Sequence, residues 1–557
     1  MRLQRQFASA VAAVLTMGVA AAAHAQTPPV DPGRLDERLR PPVERPDVSP
    51  IEVPTLPQQE AGPESNLAVE LSAVRFEGAT AVPVEVLNAI AAPYIGRRMP
   101  LSEVFRLAEE VTAEYRRRGY VLSRAIVGPQ RIENGVLTLQ ILEGHVDQIR
   151  IEGDAGGYER FLQSYVEPVR ASRPTAADDL SRALLLARDL RGVDVRAVVT
   201  PSATVPAAAD LNLVVERDPV EAFVGVDNRG SRRLGPIQLF GAVALNDTFG
   251  WGERIALSAV VAPEDGELGF ISASYDQPIG GSGLRFNAFA SYAVTEPGDE
   301  LAVFGLEGES TTWGLGLEYP FRRSRATNII GRTVFTSRDS SSWNDLIDPI
   351  FEDEIRTLSA ELFVNHADSW RGFTSGRLAV THGLDAFGAT ADSDPNKSRA
   401  TGTANFTRFN VEVSRLQPLA GGLSLELAAA AQITSDSLLA SEEFGLGGTH
   451  FGRAFDPSEI TGDEGFAARA EFFYTLPAQQ FGTLEPYVYY EGGQVRQNDP
   501  LPGEPRRDSL RAAGLGLRVA FNDRLSASVE YAKPLIRDVA AEGDRDGRVF
   551  FSLSAAF

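Results

Sequence analysis

The 557-residue sequence has no cysteine, which removes disulfides and thiolate metal ligands. Its five histidines (His24, His145, His366, His382 and His450) are scattered without ligand spacing. Beyond residue 25 it has no run of about eighteen apolar residues to form a membrane helix. It also offers no Walker-type phosphate loop, no convincing nucleophile–base–acid set and no ligand cluster. The formal net charge of −22 argues against a general nucleic-acid binder. Neither an enzyme nor a metal- or cofactor-dependent protein is expected.

What is present begins with an export signature in residues 1–25. Arg2 and Arg5 precede an apolar run through Val11, Val14, Leu15 and Val19, and the segment closes on Ala23-His24-Ala25. A mature chain starting at Gln26 is expected. Without a helical anchor, a membrane role requires a closed barrel, because lipid offers nothing to unpaired backbone groups. Residues 26–66 are crowded with proline and read as an extended linker. The charged island Arg34–Arg40 interrupts it; a solvated charge run and a docked plug helix over 31–40 are both open.

Residues 67–144 read as a small mixed unit. Val69–Phe76 is strand-like and closed by Gly78, and a short helix follows at Pro83–Ala92. Leu101, Val104, Leu107, Ala108, Val111 and Tyr115 then recur at helical spacing until Gly119, before strands at Val121–Val127 and Val136–Leu142. Residues 145–218 repeat the order: a strand at Val146–Gly153, helices at about 158–169 and 180–190, and strands at Val193–Thr200 and Leu211–Glu216. Two tandem copies of one unit of roughly 75 residues are therefore expected. Neither contains a catalytic constellation.

From residue 219 to the end the text is strand-like, with about sixteen segments, many about ten residues long, separated by turns such as Gly280–Gly283 and Leu419–Gly422. In the last segment Val549, Phe551, Leu553, Ala555 and Phe557 share one face, and the chain ends on that aromatic. A transmembrane antiparallel β-barrel over 219–557 fits these features. One stretch departs from the pattern: Glu443–Pro457 is rich in glycine and in aromatics that need a surface to lie on, so it reads as an ordered loop, within 437–464, with a function.

This layout resembles the two-partner-secretion transporters, relatives of the hemolysin activator and filamentous-hemagglutinin secretion proteins. The resemblance covers nearly the whole mature chain. It implies that the two α+β units are periplasmic POTRA domains, and that a sixteen-strand barrel in the outer membrane of a Gram-negative bacterium passes one large secreted partner to the cell surface. The family's hydrophobic-Arg-Gly-aromatic tetrad, in the loop after the eleventh strand, is matched by Gly452-Arg453-Ala454-Phe455, with Gly452 and Ala454 as departures. The family's aromatic strand ending in Asp-x-Gly is matched by Tyr487–Gly493, with Glu491 in place of aspartate, and Phe223–Gly230 resembles its first barrel strand.

The resemblance implies a loop folded back into the lumen and locked by Arg453 against Glu491, with Gly452, Phe455 and Asp456 at the tip. A guanidinium inside a barrel needs a carboxylate, and a bidentate pair is the expected geometry. Gly447 and Gly448 would let the loop double back and Phe451 would lie along the wall. Phe557 would serve as the terminus engaged by barrel-assembly machinery as the chain enters the lipid bilayer. Client recognition is expected through strand addition at a sheet edge of the POTRA units, with no cofactor, metal or nucleic acid involved. The principal alternative is an assembly factor of the same superfamily, which inserts other outer-membrane proteins; a diffusion porin explains neither the units nor the loop, and a phospholipase-type barrel has no evident Ser–His pairing.

Overall fold

The computed structural model describes residues 32–34 and 68–557, apart from 206, 264–265, 479–481 and 523. The export signature and nearly all of the proline-rich segment lie outside the described residues. In the first unit, strand Ala73–Glu77 runs parallel to Val136–Leu142, which pairs antiparallel with Arg124–Ile126 at the opposite edge. Helices Val84–Ala91 and Leu101–Arg117 complete it. The longer helix buries Val104, Leu107, Ala108, Val111 and Tyr115 along one stripe, places Glu103 in its first turn and Arg116 and Arg117 in its last, and stops before Gly119, whose φ is +89°. The predicted single strand Val69–Phe76 is divided: Ala68–Glu70 pairs with Arg98–Pro100, and Leu71 then turns inward to become fully buried before the main sheet begins.

The second unit repeats this topology. His145–Gly153 runs parallel to Ala208–Arg217, which pairs antiparallel with Val193–Pro201, and helices Glu159–Ala171 and Ala177–Arg188 supply Leu162, Val166, Leu184 and Ala187 to its own core. At the end of the first unit, Glu143 accepts the backbone N–H groups of Thr80 and Ala81 and the Tyr115 hydroxyl at 2.7–2.8 Å. Burial pushes this carboxyl up, but those bonds, with the Thr80 hydroxyl, outweigh it and hold it below the usual carboxylate range.

Sixteen antiparallel strands then close a barrel, counting Glu464–Tyr474 and Leu476–Ala478 as one interrupted strand because both pair with Gly482–Arg496. The first strand, Val220–Asp227, pairs with the last, Arg548–Ala556, from Phe223↔Ala556 to Asp227↔Ser552, and Phe557 exchanges backbone hydrogen bonds with Ala222. With an even strand count both ends of the barrel lie on one side, so loops after odd-numbered strands are on the other. Large apolar side chains project outward around the wall, including Leu257, Ile271, Trp313, Leu378, Val411, Leu515 and, on the last strand, Val549, Phe551 and Leu553. The predicted turns at 280–283 and 419–422 join the fourth to fifth and tenth to eleventh strands.

The second unit is seated on the barrel's near-side turns. Arg323, at the end of the sixth strand, grips Asp189 with Nε and Nη2 at 2.8 and 2.6 Å. Asp247, after the second strand, accepts the Gly157 N–H and the Arg217 guanidinium. A Cβ on Gly157 would stand 2.2 Å from that carboxylate, so the contact depends on bare backbone.

Candidate functional site

The chain between the eleventh strand, Leu423–Thr434, and the twelfth, beginning at Glu464, turns back into the lumen. There Phe444–Leu446 pairs with Ile460–Gly462 as a narrow antiparallel ribbon. Its tip is folded by local hydrogen bonds: Gly447 N–H to Phe451 O, Gly448 N–H to Phe455 O and Phe455 N–H to Gly452 O. Gly447 and Gly452 have φ of +120° and +90°, and a Cβ on Gly447 would lie 2.0 Å from the Asp456 carbonyl oxygen. Glycine at 452, where the resembled motif has an aliphatic residue, thus has a steric reason.

The tip presents Arg453 to the barrel wall, where it is 6% exposed. Its Nη2 lies 2.7 Å from Glu471 Oε2 on the twelfth strand, and its Nη1 lies 3.3 Å from Glu530 Oε2 on the fifteenth, Leu525–Pro534. Its Cζ stands 3.5 Å from the centre of the Tyr489 ring. The expected bidentate pair with Glu491 is not the geometry found. Glu491, on the thirteenth strand, accepts the backbone N–H of Arg453, and its Oε2 is 3.7 Å from Nε. Pairing register accounts for the difference: Glu471 lies opposite Tyr489 on the neighbouring strand, so the guanidinium resting on that ring reaches Glu471, leaving Glu491 to hold the turn's backbone.

Two of the carboxylates around Arg453 have further donors. Glu471 also takes Arg518 Nη2 at 2.6 Å, and Glu530 takes Arg229 Nη2 at 3.0 Å and the Tyr487 hydroxyl at 2.7 Å. Arg229, Arg453 and Arg518 thus face Glu471, Glu491 and Glu530, a balance that offsets the desolvation of so many charges. Asp456 receives Arg548 Nη2 from the sixteenth strand at 2.8 Å. Phe455 is buried with Leu446, Ile460 and Leu510, while Phe451 lies on the wall beneath Arg469, whose Nη1 bonds the His450 carbonyl. The predicted loop residues therefore converge on one region, with Phe557 apart from them at the seam.

Two anchors were not legible in sequence. Arg399, in the loop after the ninth strand, is 1% exposed and bonds Asp463 Oδ1 at 2.7 Å, Glu443 Oε1 at 3.0 Å and Gln497 Oε1 at 2.8 Å, joining three far-side loops. Glu442 is held by Arg338 on the seventh strand and Arg408 on the tenth, at 2.7 and 2.8 Å. Within the 31–40 island the described part is Pro32–Arg34, a 3₁₀ turn buried in the lumen. Its Arg34 bonds the Ala440 carbonyl at 2.7 Å and Ser458 Oγ at 3.1 Å, on the in-folded loop. The remainder of that island lies outside the described residues.

Residues 209–519, more than half the chain, match the family model for haemolysin secretion/activation proteins ShlB/FhaC/HecB, and residues 69–144 match the ShlB-type POTRA domain. The chain belongs to that family. Among relatives of the family, the heme/hemopexin transporter protein HuxB of Haemophilus influenzae is 24% identical over 82% of each chain. The outer membrane transporter CdiB of Escherichia coli is 26% identical over 90% of this chain and 85% of its own. A solved CdiB structure from Escherichia coli superposes with a TM-score of 0.71 at 22% identity, covering 91% of this chain and 94% of its own. BamA from Haemophilus ducreyi shares the fold at a TM-score of 0.52 and 14% identity, covering 88% of this chain and all of its own. This ShlB-type chain is an outer-membrane transporter of two-partner secretion, with its POTRA region in the periplasm and an exported protein as its partner.

Proposed function

We propose that residues 67–144 and 145–218 act as successive POTRA domains that receive an unfolded exoprotein by strand addition, and that the in-folded loop is the lumen element whose docking sets the secretion-competent barrel. The observation that carries this reading is Arg453, which ties the loop tip to the twelfth and fifteenth strands through side-chain ion pairs and to the thirteenth through its backbone. Transport proceeds without bond-breaking catalysis by this chain, with folding of the partner outside supplying the driving force. Biogenesis of the barrel employs the barrel-assembly machinery, which engages the strand ending at Phe557.

The test pairs deletion of this protein with complementation by Arg453→Ala, reading the exported partner in the culture medium. Loss of the partner on deletion, unrestored by the variant although the variant reaches the outer membrane, is the expected result. Full secretion by a correctly inserted Arg453→Ala protein refutes the role given to the loop. A deletion that leaves the partner's secretion intact but depletes other outer-membrane proteins would instead favour assembly.

A further inference from the structure

The lipid-facing wall is not uniformly convex. Val413, Ala429, Ala468, Gly492 and Arg511 are successive register partners across the tenth to fourteenth strands. All five have the outward parity of their exposed neighbours Val411, Leu427, Phe466, Tyr490 and Leu515. Alanine and glycine make a low floor between the exposed side chains of Phe466 and Tyr490, leaving a groove of about 900 Å³. The groove is open along its outer side, and its volume is within the range of small-ligand sites.

The two ends of the groove differ in charge. Toward the periplasm its rim includes Arg415, which is neutralised by Asp368 at 2.7 Å. At the other end Arg511 is the fifth residue of a strand entered from a far-side loop, and its stem lies over Gly492. Arg507, on the same face four residues nearer that loop, is exposed as well. Neither makes an ion pair or side-chain hydrogen bond among the described residues, whereas nearby Arg496 is paired with Glu464. One unpaired guanidinium on the outer rim of a mostly apolar groove, Arg511, and a second beyond it on the same strand face, Arg507, call for an anion with hydrocarbon attached. They stand about 13 Å apart along the strand, so a headgroup carrying phosphates on two sugars reaches both.

We propose that this groove is a binding site for a phosphorylated, multiply acylated glycolipid of the outer leaflet, with its chains on the Ala429–Ala468–Gly492 floor and its phosphates on Arg511 and Arg507. The full chain, delipidated in detergent, would be titrated with hexa-acylated diphosphoryl lipid A and separately with phosphatidylglycerol, with adducts read by native mass spectrometry. One lipid A per chain is expected, weakened on the order of tenfold by Arg511→Glu and also by Ala468→Phe, which fills the floor. Leu257→Phe, on another part of the wall, should leave binding unchanged. Heat-modifiable migration checks that each variant is a closed barrel, and Arg507→Glu replaces any that is not. Equal lipid A binding by wild type and both groove variants overturns the site. Phosphatidylglycerol binding of equal strength and equal sensitivity overturns the glycolipid assignment.

Discussion

Arg453 Nη2 and Glu471 Oε2 are 2.7 Å apart in the lumen, with the guanidinium lying on the Tyr489 ring. The loop arginine is thus paired chiefly with the strand that follows its loop. Removing one member of a buried pair strands the other, at about 3–5 kcal/mol. Arg453→Ala should lower secretion more than tenfold, and Arg453→Lys, which keeps charge but not the planar fork, should fall between. A double-mutant cycle of Arg453→Ala with Glu471→Ala, read as partner in the medium, should show strong non-additivity; additive losses would mean that the two act separately.

Glu491 plays a different part, accepting a backbone N–H. Glu491→Gln keeps an acceptor there and should cost at most a few-fold in secretion, whereas Glu491→Ala leaves the donor unsatisfied and should cost about 1–3 kcal/mol of loop docking. Protease accessibility of the loop in purified protein checks the order Ala worse than Gln.

Gly452→Ala places a side chain at φ +90° with its Cβ 3.0 Å from Gly447. Strain of about 1 kcal/mol or more is expected at the loop tip. Insertion of the barrel should be normal while channel conductance in planar bilayers becomes more variable. A variant with wild-type conductance and secretion would show that the turn accommodates the methyl.

Arg399 closes the far side by joining Asp463, Glu443 and Gln497. Arg399→Ala leaves two buried carboxylates without that cation, so loops 384–406 and 497–506 should separate. Faster proteolysis within 384–406 on intact cells is the readout, and an unchanged rate would exclude Arg399 as the clamp.

Glu143 provides the pH prediction. Its carboxyl is depressed in the folded protein, so its contribution to stability is fully present above the unfolded value of about 4.3 and is lost as pH falls through the folded value. Amide exchange at Thr80 and Ala81 should therefore differ between wild type and Glu143→Gln at neutral pH, and the difference should shrink as pH falls through the depressed folded value. A gap that widens on acidification would reverse the assignment.

Much of the fold was legible because its signals are local. The stripe Val104–Leu107–Val111–Tyr115 needs only a period of 3.6, and Gly119 marks where that helix stops. The loop was legible from its glycines and aromatics, and Arg453 from the resemblance. Its partners were less so, because register decides them: Glu471 stands in Ala-Glu-Phe-Phe-Tyr and Glu530 in Val-Glu-Tyr, ordinary barrel text until cross-strand pairing shows both facing one guanidinium. An isolated acid at an inward position of an otherwise aromatic strand was the available signal. Arg399 offered none, since its three partners lie 44 to 98 residues away.

Glu530 belongs to the fifteenth strand, yet its two arginine partners are Arg229 just after the first strand and the loop arginine, while Arg548 on the sixteenth holds Asp456. Two of the loop's anchors therefore do not exist until the carboxyl-terminal end of the chain has been made and brought beside the amino-terminal edge. Sealing the cylinder and completing the loop's anchorage become coupled events, and a barrel interrupted before its final hairpin would have both an open wall and a loop lacking its Glu530 and Arg548 ties.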